Sequence, residues 1–260
     1  MSPQLAMELG PPIRHLLVDL DGTLLGNKSV PLQIDFVGRA LKSLKQYGGL
    51  KKRMKALLAV HTALRSPSKD VTNDVRAIAV FSKLMEISQD EGKKLLRETI
   101  GVIFPALERH FYPMPGAKDF LGWARDHYPL TLATNPVWPK EIVQLRLRWA
   151  GVDPDTFGRL TLVNQMHACK PEPMYYEEIL AQEKLSPEEC LLIGDDVRMD
   201  LPATRVGIRV FIVDGEAKPD KIGPLRFAGA RALAWRGTYP ILRRSLEMHL
   251  QQGDNPLILS

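Results

Sequence analysis

The sequence is poor in the features that mark several protein classes. It has two cysteines, Cys169 and Cys190, and neither belongs to a Cys-x-x-Cys pair. That argues against a zinc site or a disulfide framework and for a reducing compartment. No apolar run approaches the ~18 residues that cross a bilayer. The first residues, MSPQLAMELGPP, lack a basic start and an apolar core and carry Glu8, so no secretion signal is expected. There are no internal repeats and no low-complexity tracts. Charge of one sign is not concentrated either. The net charge is +5 over 260 residues, and no aromatic-basic pattern accompanies it, so nucleic acid is not an expected partner. Together these absences predict a soluble, cytoplasmic protein whose partners include neither a membrane nor nucleic acid.

What is present is enough for a sizeable core. Apolar residues make up 45% of the chain, and its length suits one large domain or a core with a smaller companion. The first strong signal is a short buried strand over 15–20 that runs into two acids, Asp19 and Asp21, with Gly22 and Thr23 behind them. Burying a carboxylate is costly unless a charge or hydrogen bond answers it, so these acids call for partners elsewhere. Helix-spaced apolar residues then mark helices over 31–48, 50–66, 70–88 and 88–111, with Thr72 or Asn73 capping the third and Ser88 opening the fourth. Pro105 disturbs the last of these.

After residue 116 the pattern changes. Amphipathic helices (117–128, 140–151, 171–184, 200–207) alternate with short apolar strands (129–135, 159–164, 190–196, 209–214), and 241–252 reads as a closing helix. Such alternation implies a parallel sheet covered on both faces. The chain therefore divides into an α/β core, 1–26 with 115–260, and an all-helical insert, 27–114. In open parallel sheets, ligands bind beyond the carboxyl ends of the strands. Asp19, Asp21, Thr134, Asn135, Lys170, Asp195, Asp196 and Asp200 all fall at such ends.

Four ordered motifs carry a resemblance. DLDGT follows the first strand, LTLATN ends the second, CKPEP precedes a helix, and IGDDVRMD follows a later strand. In this order and context the sequence resembles the haloacid dehalogenase-like hydrolase superfamily, in its phosphatase branch with a helical C1-type cap. The match spans roughly residues 14–214. The resemblance implies a Rossmann-like three-layer α/β core with a parallel sheet and an inserted all-α cap domain. It also implies a Mg²⁺-dependent phosphatase acting on a small phosphorylated metabolite through an aspartyl-phosphate.

The chemistry gives each residue type a reason. A carboxylate attacks an anionic ester well only when positive charge gathers around it, and Mg²⁺ prefers oxygen ligands. Asp19 is assigned as nucleophile and metal ligand. Asp21 is assigned as general acid and then base, and the resemblance implies that its carbonyl is a metal ligand. Thr134 and Asn135 donate to phosphoryl oxygens, and Lys170 supplies fixed positive charge. Asp195 is the third protein ligand. Asp200 orients a water or Lys170 from behind the metal. Asp196 is left open between metal, water and a helix cap. A phosphomutase, a phosphonate hydrolase, a dehalogenase or a non-catalytic binding module on the same fold are the alternatives. Asp21 weighs against the dehalogenase, and the intact acid set weighs against the binding module.

Elsewhere simpler readings prevail. Cys190 is expected in the core, and Cys169, although Lys170 beside it could lower its thiol pKa, is not expected to be catalytic. The lysines and arginine of the insert, Lys42, Lys45, Lys51, Lys52, Arg53 and Lys55, read as a solvated face. The sharper alternative has some of them binding an anionic substrate, with His61, Arg65 and Arg76 as weaker candidates. Trp123, Trp138, Trp149 and Trp235 are read as packing.

Overall fold

A computed structural model describes residues 9, 12–214 and 222–251. The stretch read against a secretion signal lies almost wholly outside them, as does residue 252 of the closing helix. Among the described residues no helix is long and apolar enough to cross a membrane.

The core is a seven-stranded sheet. Its strands are β1 His15–Val18, β4 Leu130–Leu132, β5 Arg159–Leu160, β6 Cys190–Gly194, β7 Arg209–Val213, β8 Gly223–Leu225 and β9 Ala234–Gly237, in the order β5-β4-β1-β6-β7-β9-β8. All neighbours are parallel except β8, which closes the edge antiparallel to β9. Alternation along each strand divides its side chains between two cores. Leu16 and Val18, Leu191 and Ile193, and Phe211 and Val213 enter one core. Leu17, Leu192, Val210 and Ile212 enter the other. Helices α5 Ala117–Ala124, α6 Lys140–Trp149 and α8 Tyr239–Gln251 cover the first face. Helix α7 Pro173–Glu183 and a 3₁₀ segment, Leu201–Val206, cover the second. Buried strands of this kind read as apolar runs because both of their faces are covered.

Strand β1 is the centre of the arrangement. Val18 pairs with Leu132 on one side and Ile193 on the other. The chain proceeds from β1 to β4 and β5 on one side, then returns to place β6 on the other. The crevice at the carboxyl end of β1 is thus the point where strand order reverses.

The helical insert leaves and rejoins the core through an antiparallel ribbon, β2 Leu25–Asn27 with β3 Phe111–Pro113, in which Leu25 faces Pro113 and Asn27 faces Phe111. Between them lie α1 Ser29–Ser43, α2 Leu50–Arg65, α3 Asn73–Met85, α4 Gln89–Ile103 and a 3₁₀ segment, Phe104–His110. Leu44, Ala56, Phe81 and Met85 form a small core of their own. Ser88 opens α4 with a full capping box, its hydroxyl accepting from the Glu91 amide while the Glu91 carboxylate accepts from the Ser88 amide.

Some sequence expectations need correction. The first strand stops at Val18, so both acids lie beyond it. The strand expected over 159–164 keeps two residues before turning into a loop. The helix expected over 200–207 is 3₁₀, opened by Pro202. Thr72 sits at the cap of α3, but its hydroxyl donates to Asp74 and makes no cap hydrogen bond. The ribbon and strands β8 and β9 were not expected. They are short, and segments such as Ala-Trp-Arg-Gly carry no clear period.

Candidate active site

The site is built where β1, β4 and β6 end. Asp19 follows β1, and its amide donates to the Ile193 carbonyl at 2.9 Å, which extends the ladder by one residue and fixes where the side chain begins. The Lys170 ammonium, almost fully buried, lies between two carboxylates: 2.8 Å from Asp19 Oδ1 and 2.7 Å from Asp200 Oδ1. Asp19, Asp195 and Asp200 each present an oxygen within 4.8 Å of the others. Asp195 Oδ1 also accepts from the Thr23 hydroxyl at 3.2 Å. The fold thus brings together residues spread over 182 positions, counting from Asp19 to Asp200 inclusive.

The electrostatics of this cluster are unbalanced. One ammonium faces three carboxylates. Burial pushes Asp19 up to about 8 against the lowering effect of Lys170, and the neighbouring Asp200 and Asp21 raise it further. Burial, then the Asp200 charge, pushes Asp195 up to about 6. Burial works against the charge on Lys170, but Asp19 and Asp200 together hold its pKa well above the ordinary value. Like charges crowded in a low-dielectric site disfavour ionisation unless a further cation is present. A divalent cation fits this donor set: it would balance the excess negative charge, and its ligands would be the carboxylate oxygens that hard cations prefer.

Two glycines make the crowding sterically feasible. Gly22 adopts φ +80°, and a Cβ there would overlap the Asp195 carboxylate. A Cβ at Gly194 would overlap the Asp200 carboxylate. Both backbones approach acids in a way that only glycine permits.

The remaining expected residues fall around this centre. Thr134 is fully buried and its hydroxyl has no partner among the described residues, so a donor stands ready for a bound anion. Its carbonyl is held by the Thr161 hydroxyl at 2.6 Å and the Tyr175 hydroxyl at 2.9 Å. Asn135 Oδ1 accepts from the Lys170 amide at 3.0 Å, so this side chain ties the lysine loop to the loop after β4. Asp196 is exposed, and its Oδ1 accepts from the amides of Arg198 and Met199. Asp21 lies close to Asp19 but its carboxylate is drawn to the Arg146 guanidinium of α6.

The insert docks on the same edge of the sheet. Asn73, fully buried at the start of α3, donates from Nδ2 to the carbonyls of Pro136 at 3.1 Å and Ala168 at 3.3 Å. It therefore bridges the loop carrying Thr134 and Asn135 and the loop carrying Lys170. Arg76 donates to Asn73 and to the His167 carbonyl, which places this candidate in the docking contact. Trp138 of the core packs edge-on against Phe104 and Phe36 of the insert, at 4.6 and 5.8 Å between ring centres. Of the insert's basic run, Lys42, Lys45, Lys51 and Lys55 are exposed, Lys52 pairs with Glu86, and Arg53 donates to the Leu41 carbonyl. His61 and Arg65 are exposed. Cys169 and Cys190 are buried, and burial pushes their thiols up to about 11 and 12.

Sequence reasoning missed Asn73, Arg146, Thr161 and Tyr175 as members of the site. Arg146 left one signal: it occupies the buried face of α6 beside Ile142, Val143 and Leu147, where the helical period calls for an apolar residue.

Comparison with known proteins agrees with this geometry. A family model described as haloacid dehalogenase-like hydrolase matches residues 13–206. The phosphoserine phosphatase of Thermus thermophilus is 28% identical over 247 residues, covering 82% of this chain and 97% of that protein. The phosphoglycolate phosphatase of Nitrosospira multiformis is 26% identical over 207 residues, covering 78% and 83%. Among solved structures, a 2-haloacid dehalogenase from Pseudomonas syringae superposes with a TM-score of 0.60 at 18% identity, covering 91% of this chain and 99% of that one. At these identities the structural likeness speaks for the fold alone.

Proposed function

Because the chain belongs to the haloacid dehalogenase-like hydrolases, we propose that it is a Mg²⁺-dependent phosphatase that hydrolyses a small phosphorylated metabolite through an aspartyl-phosphate. The observation that carries this reading is the clustering of Asp19, Asp195 and Asp200 around a single buried ammonium. That arrangement holds more negative charge than it answers, as a divalent cation and a phosphoryl group require. The two curated relatives are named as phosphatases, of phosphoserine and of phosphoglycolate, which favours hydrolysis of a monoester over dehalogenation.

In this reading Asp19, Asp195 and the Asp21 carbonyl would hold Mg²⁺, which would supply when bound the positive charge that lets a carboxylate approach an anionic ester. Asp19 attacks phosphorus, and the Lys170 ammonium at 2.8 Å orients it and neutralises charge on the transferring group. The Thr134 hydroxyl, unpartnered among the described residues, donates to a phosphoryl oxygen. Asn135 adds its amide from a side chain already fixed on the Lys170 backbone. Asp200 holds Lys170 in place at 2.7 Å. Asp196 closes the turn behind Asp195. Asp21 gives a proton to the leaving oxygen and takes one from the water that frees Asp19. The helical insert, residues 27–114 against a core of 1–26 and 115–260, acts as a cap that excludes water from the reaction.

A panel of phosphate monoesters tested with Mg²⁺ decides the matter. Asp19→Asn is expected to remove turnover by at least a thousandfold while far-UV circular dichroism stays that of the wild type. Full activity in this variant, or no phosphate release from any ester by the wild type, would overturn the assignment.

A further inference from the structure

Asp21 and Arg146 form a pair that neither the motifs nor the relatives assign. Arg146 lies on the buried face of α6, its side chain 3% exposed, and it donates from Nη2 to Asp21 Oδ1. Its Nε and Nη1 are buried with no hydrogen-bond partner among the described residues. Its guanidinium carbon lies 5.9 Å from the centre of the Phe111 ring, and that ring stacks on Trp149 at 5.0 Å. A guanidinium taken out of water and given a single carboxylate partner is an expensive element of a fold. An apolar side chain beside Ile142, Val143 and Leu147 would pack there at lower cost. What the arginine adds is geometric. It anchors one oxygen of Asp21 and leaves Oδ2 without a hydrogen bond among the described residues, on a side chain that is 44% exposed.

We propose that Arg146 is a positioning residue: anchored on α6 and on the Phe111 ring of the ribbon, it aims the free oxygen of Asp21 at the ester oxygen that leaves phosphorus. The inference rests on the phosphatase reading of Asp21. In the first half-reaction an Asp19 oxygen bonds to phosphorus and the phosphorus–ester oxygen bond breaks. The ester oxygen keeps the bonding pair and takes the proton of the Asp21 carboxyl. In the second, the Asp21 carboxylate takes a proton from water as the water oxygen bonds to phosphorus and Asp19 departs as a carboxylate. Both transfers need the Asp21 oxygen within hydrogen-bond reach of its target, and a misplacement of about 1 Å can cost about a hundredfold in rate. Asp21 directly precedes Gly22, and its side chain is 44% exposed against 10% for Asp19 and 1% for Asp200, so without a tether its carboxylate would sample several rotamers.

Leaving-group dependence tests the role. 4-Nitrophenolate departs without a proton, whereas an alkoxide needs one. Arg146→Met is expected to lower kcat/KM at least tenfold for the best alkyl monoester of the panel and less than threefold for 4-nitrophenyl phosphate. Arg146→Lys, which keeps a donor and the charge, should recover part of the loss. Equal losses on both esters would show a merely structural residue and overturn the inference.

A second measurement needs no turnover. In EDTA, Asp21→Asn should lower Tm more in the wild-type background than in Arg146→Met, because only the former leaves a buried guanidinium unpaired. Equal shifts in the two backgrounds overturn the pair. A wild-type chain that cleaves no ester overturns the phosphatase reading instead, and the cycle still decides the pairing.

Discussion

Buried polar side chains set the character of this molecule residue by residue, and His15 illustrates it away from the reacting centre. Its ring is buried in β1, with Nε2 2.9 Å from the Thr131 hydroxyl. Burial, opposed weakly by Glu183, lowers its pKa below the ordinary 6.5. The folded chain therefore binds a proton at this site less readily than the unfolded chain does. The stability this neutral histidine contributes is complete above pH 6.5 and declines as pH falls toward the folded value. Thermal melts from pH 7.5 to 5 should fall less steeply for His15→Gln than for the wild type. Parallel curves would count against this account. The centre itself was largely legible at this scale. Acids directly after apolar strands are anomalies that a sequence displays, as is a lysine before a proline ahead of a helix, although that helix opens at Pro173 and not, as expected, at Pro171. Of Arg146 only the break in an apolar helix face was legible, and the docking role of Asn73 was not, because their partners lie 125 and 63 or more positions away. No local pattern records such a partner.

Among the elements, the junction between insert and core depends on the N-terminus of α3. The Asn73 amide answers two carbonyls of the loops that carry Thr134 and Lys170, and its own backbone amide donates to the Met166 carbonyl at 2.9 Å. Asn73→Ala leaves both carbonyls unpaired in a buried place, a loss of about 1–3 kcal/mol. Urea denaturation should show that loss. Amide exchange over residues 163–169 should quicken, and an unchanged exchange rate would dismiss the latch. The parallel strands were legible because strands buried on both faces appear as apolar runs such as His15–Val18 and Cys190–Gly194. The two-stranded ribbon was hidden for the opposite reason. It is three residues long on each side, and β3 is half-buried to exposed throughout, so it carries neither a run nor an alternation.

For the molecule as a whole, the crowded acidic centre costs stability that a bound cation would restore. Ligand binding to the folded state alone raises stability by mass action, about 2.7 kcal/mol at a hundred times Kd. Mg²⁺ titrated into the chelated protein should therefore raise Tm progressively. Asp195→Asn should abolish most of that rise, and it should raise Tm in EDTA because one of the crowded charges is gone. A Tm indifferent to Mg²⁺ in the wild type would remove the cation from the account.

The pairing of Leu25–Asn27 with Phe111–Pro113 brings the two points of departure and return side by side, so everything between them is a closed excursion. From the sheet's side, the ends of that excursion are already joined, and its contour length enters the folding free energy only logarithmically. Helices can be added, shortened or exchanged there while the strands keep their register. The helical insert is in consequence the part of the chain whose remodelling disturbs the scaffold least.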